Sequence, residues 1–375
     1  MKSSILLLVC AIISIISFSQ DEFSPGFNPA EYEDLLNINA ITHTADIPLG
    51  KESGVVHKYI LKYRSAEMGL KNLWELWLRD DHVAVVSFRG TVANPISWLA
   101  NFYAAMVPAT GSIHLNDSTD FKYKLAESPK ATVHIGWMIG LGYLVPEVVR
   151  ELNTVYKEKN IRNVLIIGHS QGGALATLAT SYLRHAQTGG IIPPDIVFKS
   201  YCSAAPKVGN LYYAYDFDFI TRNGMAYTIV NALDWVPETP ITIQTAKDFN
   251  AGSPFRDLTP ILGQQKFYVR WYVNGMFNKL ERSTRKAQKR TEKYLGKKMC
   301  KLVKKVLPQF EEPAYAHNSM FMRAGIPIVL LPDAEYNQKY PEDPAKTFQH
   351  HMIEPYLMLL RKAYDVERRT LNVER

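Results

Sequence analysis

Residues 161–182 read IRNVLIIGHSQGGALATLATSY, and few chains that fold can hold this stretch in more than one way. Val164 to Ile167 is a short apolar, β-branched run, the composition of a strand buried on both faces. Gly168-His169-Ser170-Gln171-Gly172 follows at once, and Ala174 to Tyr182 is rich in Ala and Leu and free of Gly and Pro, as a helix would be. Strand, G-x-S-x-G and helix in immediate succession read as a nucleophile elbow. Such a turn holds its serine in a strained conformation at the top of the sheet, with small neighbours because the backbone passes so closely. The helix N-terminus lies behind the hydroxyl.

The first residues give an address. Met1–Ser19 has Lys2 near the front, a nearly continuous apolar run from Ile5 to Ile16, and Ser17-Phe18-Ser19 at its end. Small residues at −3 and −1 fit cleavage before Gln20, so a signal peptide and export are expected. Cys10 follows Val9, where a lipoprotein signal would place a small residue. The remaining cysteines, Cys202 and Cys300, are too few for a disulfide framework, and Cys202 sits in the apolar stretch Ile196–Ala205 as a small buried hydrophobe would.

Strands alternating with helical patterns predict an α/β domain over residues 20–375, a mostly parallel sheet with helices on its faces. A short helix is expected near Glu31–Leu36, an edge strand at Val55–Tyr63, and a hairpin from Leu73–Leu78 and His82–Phe88. A long amphipathic helix opens near Val133–Trp137 and runs to about Lys159. Further strands are expected within Pro193–Ala205, at Met225–Val230 and at Ala324–Pro332, with helices at Leu211–Ile220 and about Lys346–Arg361. Between these, residues 250–312 read as a helical insertion, basic from Phe277 to Leu307. Lys279–Lys305 holds twelve Lys/Arg against Glu281 and Glu292, an excess larger than the +7 of the whole chain. Basicity therefore belongs to this segment alone.

Ser170 needs a base to take its proton and an acid to hold that base in one tautomer. In α/β-hydrolases the three arrive in the order Ser, acid, His. Asp234 directly follows a predicted strand and precedes Pro237 and Pro240, whereas Asp216 and Asp218 fall on a predicted helix. His317, His350 and His351 follow it; His134 and His169 precede it and read as structural, His169 packing the elbow. His351 opens the spacing His-x-x-Glu-x-Tyr-Leu, but pattern alone does not separate it from His350. The oxyanion donors are expected to be the Gln171 N–H and Thr91, which ends an early strand. No His/Cys cluster calls for a metal, and no organic cofactor is expected.

GHSQGGALA, the early FRGT, VHIGW, AAPKVGN and NALDWVP stand in one order, and together they resemble the class 3 lipases. The resemblance implies an α/β-hydrolase fold and a serine hydrolase that cleaves carboxylic esters, often of lipids, through an acyl-enzyme. It places the nucleophile on Ser170, the acid on Asp234, the base on His351 and the oxyanion threonine on Thr91. The apolar stretch Val92–Val107 falls where the family has its lid, with Trp98 and Phe102 as substrate contacts. The same residues would serve a triacylglycerol lipase, a phospholipase or a soluble-ester esterase. A non-catalytic lipid- or polyanion-binding protein would have no use for three triad residue types in order. The departure from the family is the long, basic run between acid and base. It reads as a helical cap with a secondary electrostatic role, its charge facing an anionic lipid or another polyanion. Nucleic acid is not expected, because Tyr294 is the one aromatic among those cations.

Overall fold

The structure is a computed structural model describing residues 23–52 and 56–365, so the expected signal peptide lies outside the described residues. In chain order the first half carries α1 (Pro29–Thr44), β1 (Tyr59–Arg64), β2 (Trp74–Arg79), β3 (Val83–Phe88), α2 (Pro95–Phe102), β4 (Met106–Pro108), β5 (Thr110–Asn116), β6 (Thr119–Lys124), β7 (Thr132–His134) and α3 (Ile135–Lys159). The second half carries β8 (Asn163–His169), α4 (Gln171–Thr188), β9 (Val197–Ser203), α5 (Leu211–Ile220), β10 (Ala226–Asn231), α6 (Phe267–Thr291), α7 (Met299–Val306), β11 (Ile326–Leu330), α8 (Ala334–Lys339) and α9 (Ile353–Tyr364). Seven strands form one sheet in the order β1-β2-β3-β8-β9-β10-β11. The two β1–β2 and β2–β3 pairings are antiparallel; from β3 onward the pairings are parallel.

The alternation of side chains along the central strands builds two cores. Ala84, Val86, Phe88, Val164 and Ile166 face α3 and α4, meeting Leu144, Val148, Leu175 and Leu178. Val83, Val85, Leu165 and Ile167 face the opposite way, onto Leu35, Leu36 and Ile38 of α1 and Leu359 and Leu360 of α9. Apolar residues are needed at every position of such strands, which explains their unbroken runs in the sequence. Each Val, Leu or Ile so buried contributes about 1.5–3 kcal/mol.

Several elements differ from expectation. α1 is far longer than Glu31–Leu36: Asn28 caps it through the Glu31 N–H at 3.1 Å, and Pro29 takes the first helical position. It is tied to the sheet by buried Glu31, which accepts from Lys199 Nζ at 2.7 Å and from the Tyr201 hydroxyl at 2.6 Å. The edge strand begins at Tyr59, not Val55, which is itself outside the described residues. His350 and His351 are not on the terminal helix. They occupy a 3-10 turn, Gln349–His351, and α9 starts at Ile353. Pro355 is the reason, because its ring would clash with the carbonyl of residue 351 in a continuous helix. The basic helix begins at Phe267, ten residues earlier than Phe277, and passes through a π-helical turn, Glu292–Lys298, into α7. Val92–Val107 divides in two: Tyr103 to Val107 is buried and β4 pairs with β7, so only the part through Phe102 lies near the surface. Cys202 and Cys300 are both buried, free thiols.

Candidate active site

The parallel strands point their carboxyl ends to one edge, where open α/β sheets gather their chemistry. β8 ends at His169, and Ser170 follows at φ 62°, ψ −130°, a strained backbone for a residue with a Cβ. Its N–H donates to the Ser203 carbonyl at 3.0 Å. A Cβ on Gly168 would come within 2.0 Å of the Gly172 carbonyl oxygen, and one on Gly172 within 2.3 Å of that of Phe88. The elbow's glycines are thus demanded by three backbones in contact. Ser170 is partly exposed, and its hydroxyl has no hydrogen-bond partner among the described residues. A nucleophile–base hydrogen bond often closes only with substrate in place.

Asp234 and His351 come together in a buried contact. Nδ1–H of His351 donates to Asp234 Oδ2 at 2.7 Å, which leaves Nε2 as the ring nitrogen outside that bond. The Tyr356 hydroxyl donates to the same oxygen at 2.8 Å, and the Val236 N–H to Oδ1 at 3.0 Å. Burial, and then the Asp234 charge, push the Tyr356 phenol well above its ordinary range, so it stays a donor. His350 faces elsewhere: its Nδ1 meets the Tyr336 hydroxyl at 2.9 Å, and its carbonyl accepts from Asn231 Nδ2 at 2.9 Å.

His169 joins the elbow to this pair. Its Nε2–H donates to the His351 carbonyl at 2.7 Å, and its Nδ1 accepts from Ser203 Oγ at 2.9 Å, which in turn accepts from the Tyr32 hydroxyl at 2.7 Å. Burial, reinforced by His351, lowers the His169 pKa to about 3, so the ring is neutral and its tautomer is set by the carbonyl it serves.

Thr91 and Gln171, the expected oxyanion donors, are in contact. The Thr91 hydroxyl donates to Gln171 Oε1 at 3.2 Å and accepts from Asn101 Nδ2 of α2 at 2.9 Å. Asn72 Oδ1 holds Gln171 Nε2 at 2.9 Å, and Trp137 Nε1 holds Asn101 Oδ1 at 3.0 Å. As the first residue of α4, Gln171 has no intrahelical acceptor for its N–H, which remains available to a ligand.

Trp98 and Phe102 lie one turn apart on α2, their rings 5.9 Å apart, with Phe102 exposed. Trp98 meets Phe348 at 5.9 Å, and Phe348 meets both Trp235 at 5.2 Å and His351 at 6.0 Å. An aromatic rim therefore runs from α2 to the candidate base. Phe348, Trp235 and Tyr356 are not apparent from the sequence, although Trp235 adjoins Asp234 and Tyr356 stands in the spacing that opens at His351. His134 is fully buried and stacked on Trp137 at 3.7 Å, and burial lowers its pKa to about 3.

A strained serine between a parallel strand and a helix, with an Asp–His pair at the same sheet edge, defines an α/β-hydrolase architecture. Residues 85–244 match the family described as Lipase (class 3). A secreted mono- and diacylglycerol lipase of Malassezia globosa is 34% identical over 124 residues, 33% of this chain and 38% of that protein. One of Malassezia restricta is 26% identical over 193 residues, 52% of this chain and 54% of the relative. The chain thus spans well under two thirds of either relative. Among solved structures, a Penicillium expansum triacylglycerol lipase aligns with a TM-score of 0.43 at 17% identity, over 57% of this chain and 75% of that one. The Rhizomucor miehei lipase–propeptide complex aligns with a TM-score of 0.43 at 20% identity, over 56% and 63%.

Proposed function

We propose that this protein is an exported serine hydrolase that cleaves carboxylic esters of lipids. The observation that carries the reading is the buried Asp234–His351 hydrogen bond at the sheet edge where Ser170 is held at positive φ. In the reaction, His351 Nε2 takes the Ser170 proton as Oγ attacks the ester carbonyl. Asp234 stabilises the imidazolium, and the Gln171 N–H with Thr91 receives the oxyanion. Collapse of the tetrahedral intermediate breaks the ester C–O bond, His351 gives the proton to the leaving alcohol, and an acyl-Ser170 remains. Water activated by the same imidazole then releases the fatty acid.

Trp98 and Phe102 supply the apolar contacts for the acyl chain, with α2 as the lid. Export is supported by the composition of residues 1–19 and by the relatives' names. The basic segment 279–305 is assigned to an anionic lipid surface. Residues 20–375 are read as one hydrolase domain with residues 250–312 inserted between acid and base.

The test is hydrolysis of a triglyceride emulsion, a diglyceride and a short soluble ester by wild type and Ser170→Ala. Loss of all turnover in the variant, with its fold intact, supports the reading; substantial residual turnover by the pure variant overturns it. Activity confined to the soluble ester moves the function to an esterase.

A further inference from the structure

The helix that bears the charge excess also bears an aromatic end. α6 buries none of its residues. Its inner side is held at separated points: Glu281 Oε2 accepts the Ala246 N–H at 2.9 Å, and Gln288 Nε2 donates to the His317 carbonyl at 2.9 Å. Further on, Glu292 meets His317 Nδ1 at 2.7 Å, and α7 buries Cys300 and Val303. All of these supports lie at or beyond Glu281, and none of the residues in the first turns of α6 is buried.

At about 100° per residue, Phe267, Tyr268, Trp271 and Tyr272 share an arc with Arg282, Arg285, Lys286, Lys289 and Arg290. One outward face is therefore aromatic in its opening turns and cationic in its closing ones. Phe267 is 80% and Trp271 78% exposed. Arg285 pairs with Glu281; Arg282, Lys286, Lys289 and Arg290 have no ion-pair partner among the described residues. Exposed aromatics next to unneutralised cations are the face of a helix that lies in a lipid interface. Among the described residues, no helix is long and apolar enough to cross a membrane. A single-stranded nucleic acid would want aromatics interleaved with cations, whereas on this outward face the two groups are segregated along the axis, Lys266 and Arg270 falling on the other side.

We propose that α6 docks the protein on an anionic bilayer surface, with Phe267, Trp271 and Tyr272 at the acyl–headgroup boundary and Arg282, Lys286, Lys289 and Arg290 on the headgroups. The proposal rests on the lipid-hydrolase reading for the purpose of docking, though not for the contact itself. α7, at the far end of the same helical rod, packs against α2, and Gly296 in the π-helical turn lies against Ala105 and Tyr315. Docking through α6 therefore also constrains how the α2 rim is presented to the lipid.

The experiment is sedimentation of Ser170→Ala protein with vesicles of pure phosphatidylcholine and of equimolar phosphatidylcholine and phosphatidylserine. The expected result is binding that requires phosphatidylserine and weakens with salt. Adding Phe267→Ser with Trp271→Ser, or Lys286→Glu with Lys289→Glu, lowers partitioning roughly tenfold or more. In the Ser170 enzyme, both pairs keep wild-type turnover of a soluble ester. Equal binding to the two vesicle types, or indifference to both variant pairs, overturns the proposal. So does loss of a dimer in the aromatic variant with no change in lipid binding, or retention of polyanionic nucleic acid in place of vesicles. Intact ester turnover with indifferent vesicle binding defeats docking alone; vesicle binding lost in the variants without any ester turnover in wild type defeats the hydrolase reading alone.

Discussion

His169 donates its Nε2–H to the carbonyl oxygen of His351 at 2.7 Å, so the residue before the candidate nucleophile holds the backbone of the candidate base. The two are 182 positions apart, and the bond ties the last residue of β8 to the 3-10 turn that carries the candidate base. Replacing His169 by Phe keeps the buried ring and removes the donor. The expected outcome is a kcat on a soluble ester lowered by roughly ten- to a hundredfold, with KM little changed. A variant with unaltered kcat would leave His169 with packing alone.

Asp234 contacts His351 and not His350, which makes the two histidines separable. His351→Ala is expected to lower kcat/KM by roughly 10⁴-fold or more, whereas His350→Ala, which loses only Tyr336, retains most of its turnover. Tyr356→Phe should weaken the fold by about 1–2 kcal/mol in urea titration through the lost buried donor to Asp234. Inactivation by His350→Ala alone would reverse the assignment of the base.

Ser170 stores conformational energy. Backbone strain of this kind costs of order 1–3 kcal/mol, and glycine relieves it at an entropic cost of roughly 0.5–1 kcal/mol. Ser170→Gly is therefore expected to unfold at an equal or higher temperature than wild type while losing ester hydrolysis. A large drop in melting temperature would show that the serine side chain is needed by the fold.

The aromatic rim should matter at an interface and little in solution. Trp98→Ala and Phe348→Ala are expected to lower turnover of emulsified glyceride several-fold more than turnover of a short soluble ester. Equal losses on both substrates would assign these rings to the architecture of the His351 loop, which Phe348 also touches.

Acid should destabilise the fold through two neutral histidines. Unfolded, each takes up its proton near pH 6.5; folded, His134 and His169 do so only near pH 3. Between those values the unfolded chain binds more protons, so stability falls as pH falls, by about 1.4 kcal/mol per pH unit for each group. His134→Phe, which keeps the stack on Trp137, should flatten that slope in urea midpoints measured above and below pH 6.5. An unchanged slope would place the acid sensitivity elsewhere.

The centre of the fold could be read from residues because local signals and tertiary demand coincide there. β8, Ser170 and α4 are written by an apolar run, three glycines and an alanine-rich helix in sequence, and burial on both faces requires that pattern. Asp234 could be read from its place after a strand. Asp234 and His351 stand 117 positions apart, and which histidine closes the pair depends on a one-residue difference that only the 3-10 turn before Pro355 resolves. The opening turns of α6 escaped because Phe267, Tyr268, Trp271 and Tyr272 stand on the exposed side opposite Val269, Val273 and Phe277, so apolar residues on both faces blur the helical period. Phe348 and Trp235 escaped for the opposite reason: they meet each other, and Trp98 or His351, only across loops distant in the chain.

The elbow's glycines set Ser170 by main chain pressed on main chain, with Gly168 against Gly172 and Gly172 against Phe88. A nucleophile placed in this way owes little to the side chains that would line an acyl pocket. Those side chains can be exchanged for larger or smaller ones without displacing the reacting oxygen. On the proposed hydrolase reading, substrate range can then drift, or be engineered, through residues such as Trp98 and Phe102, while the chemistry stays fixed in the backbone beneath them.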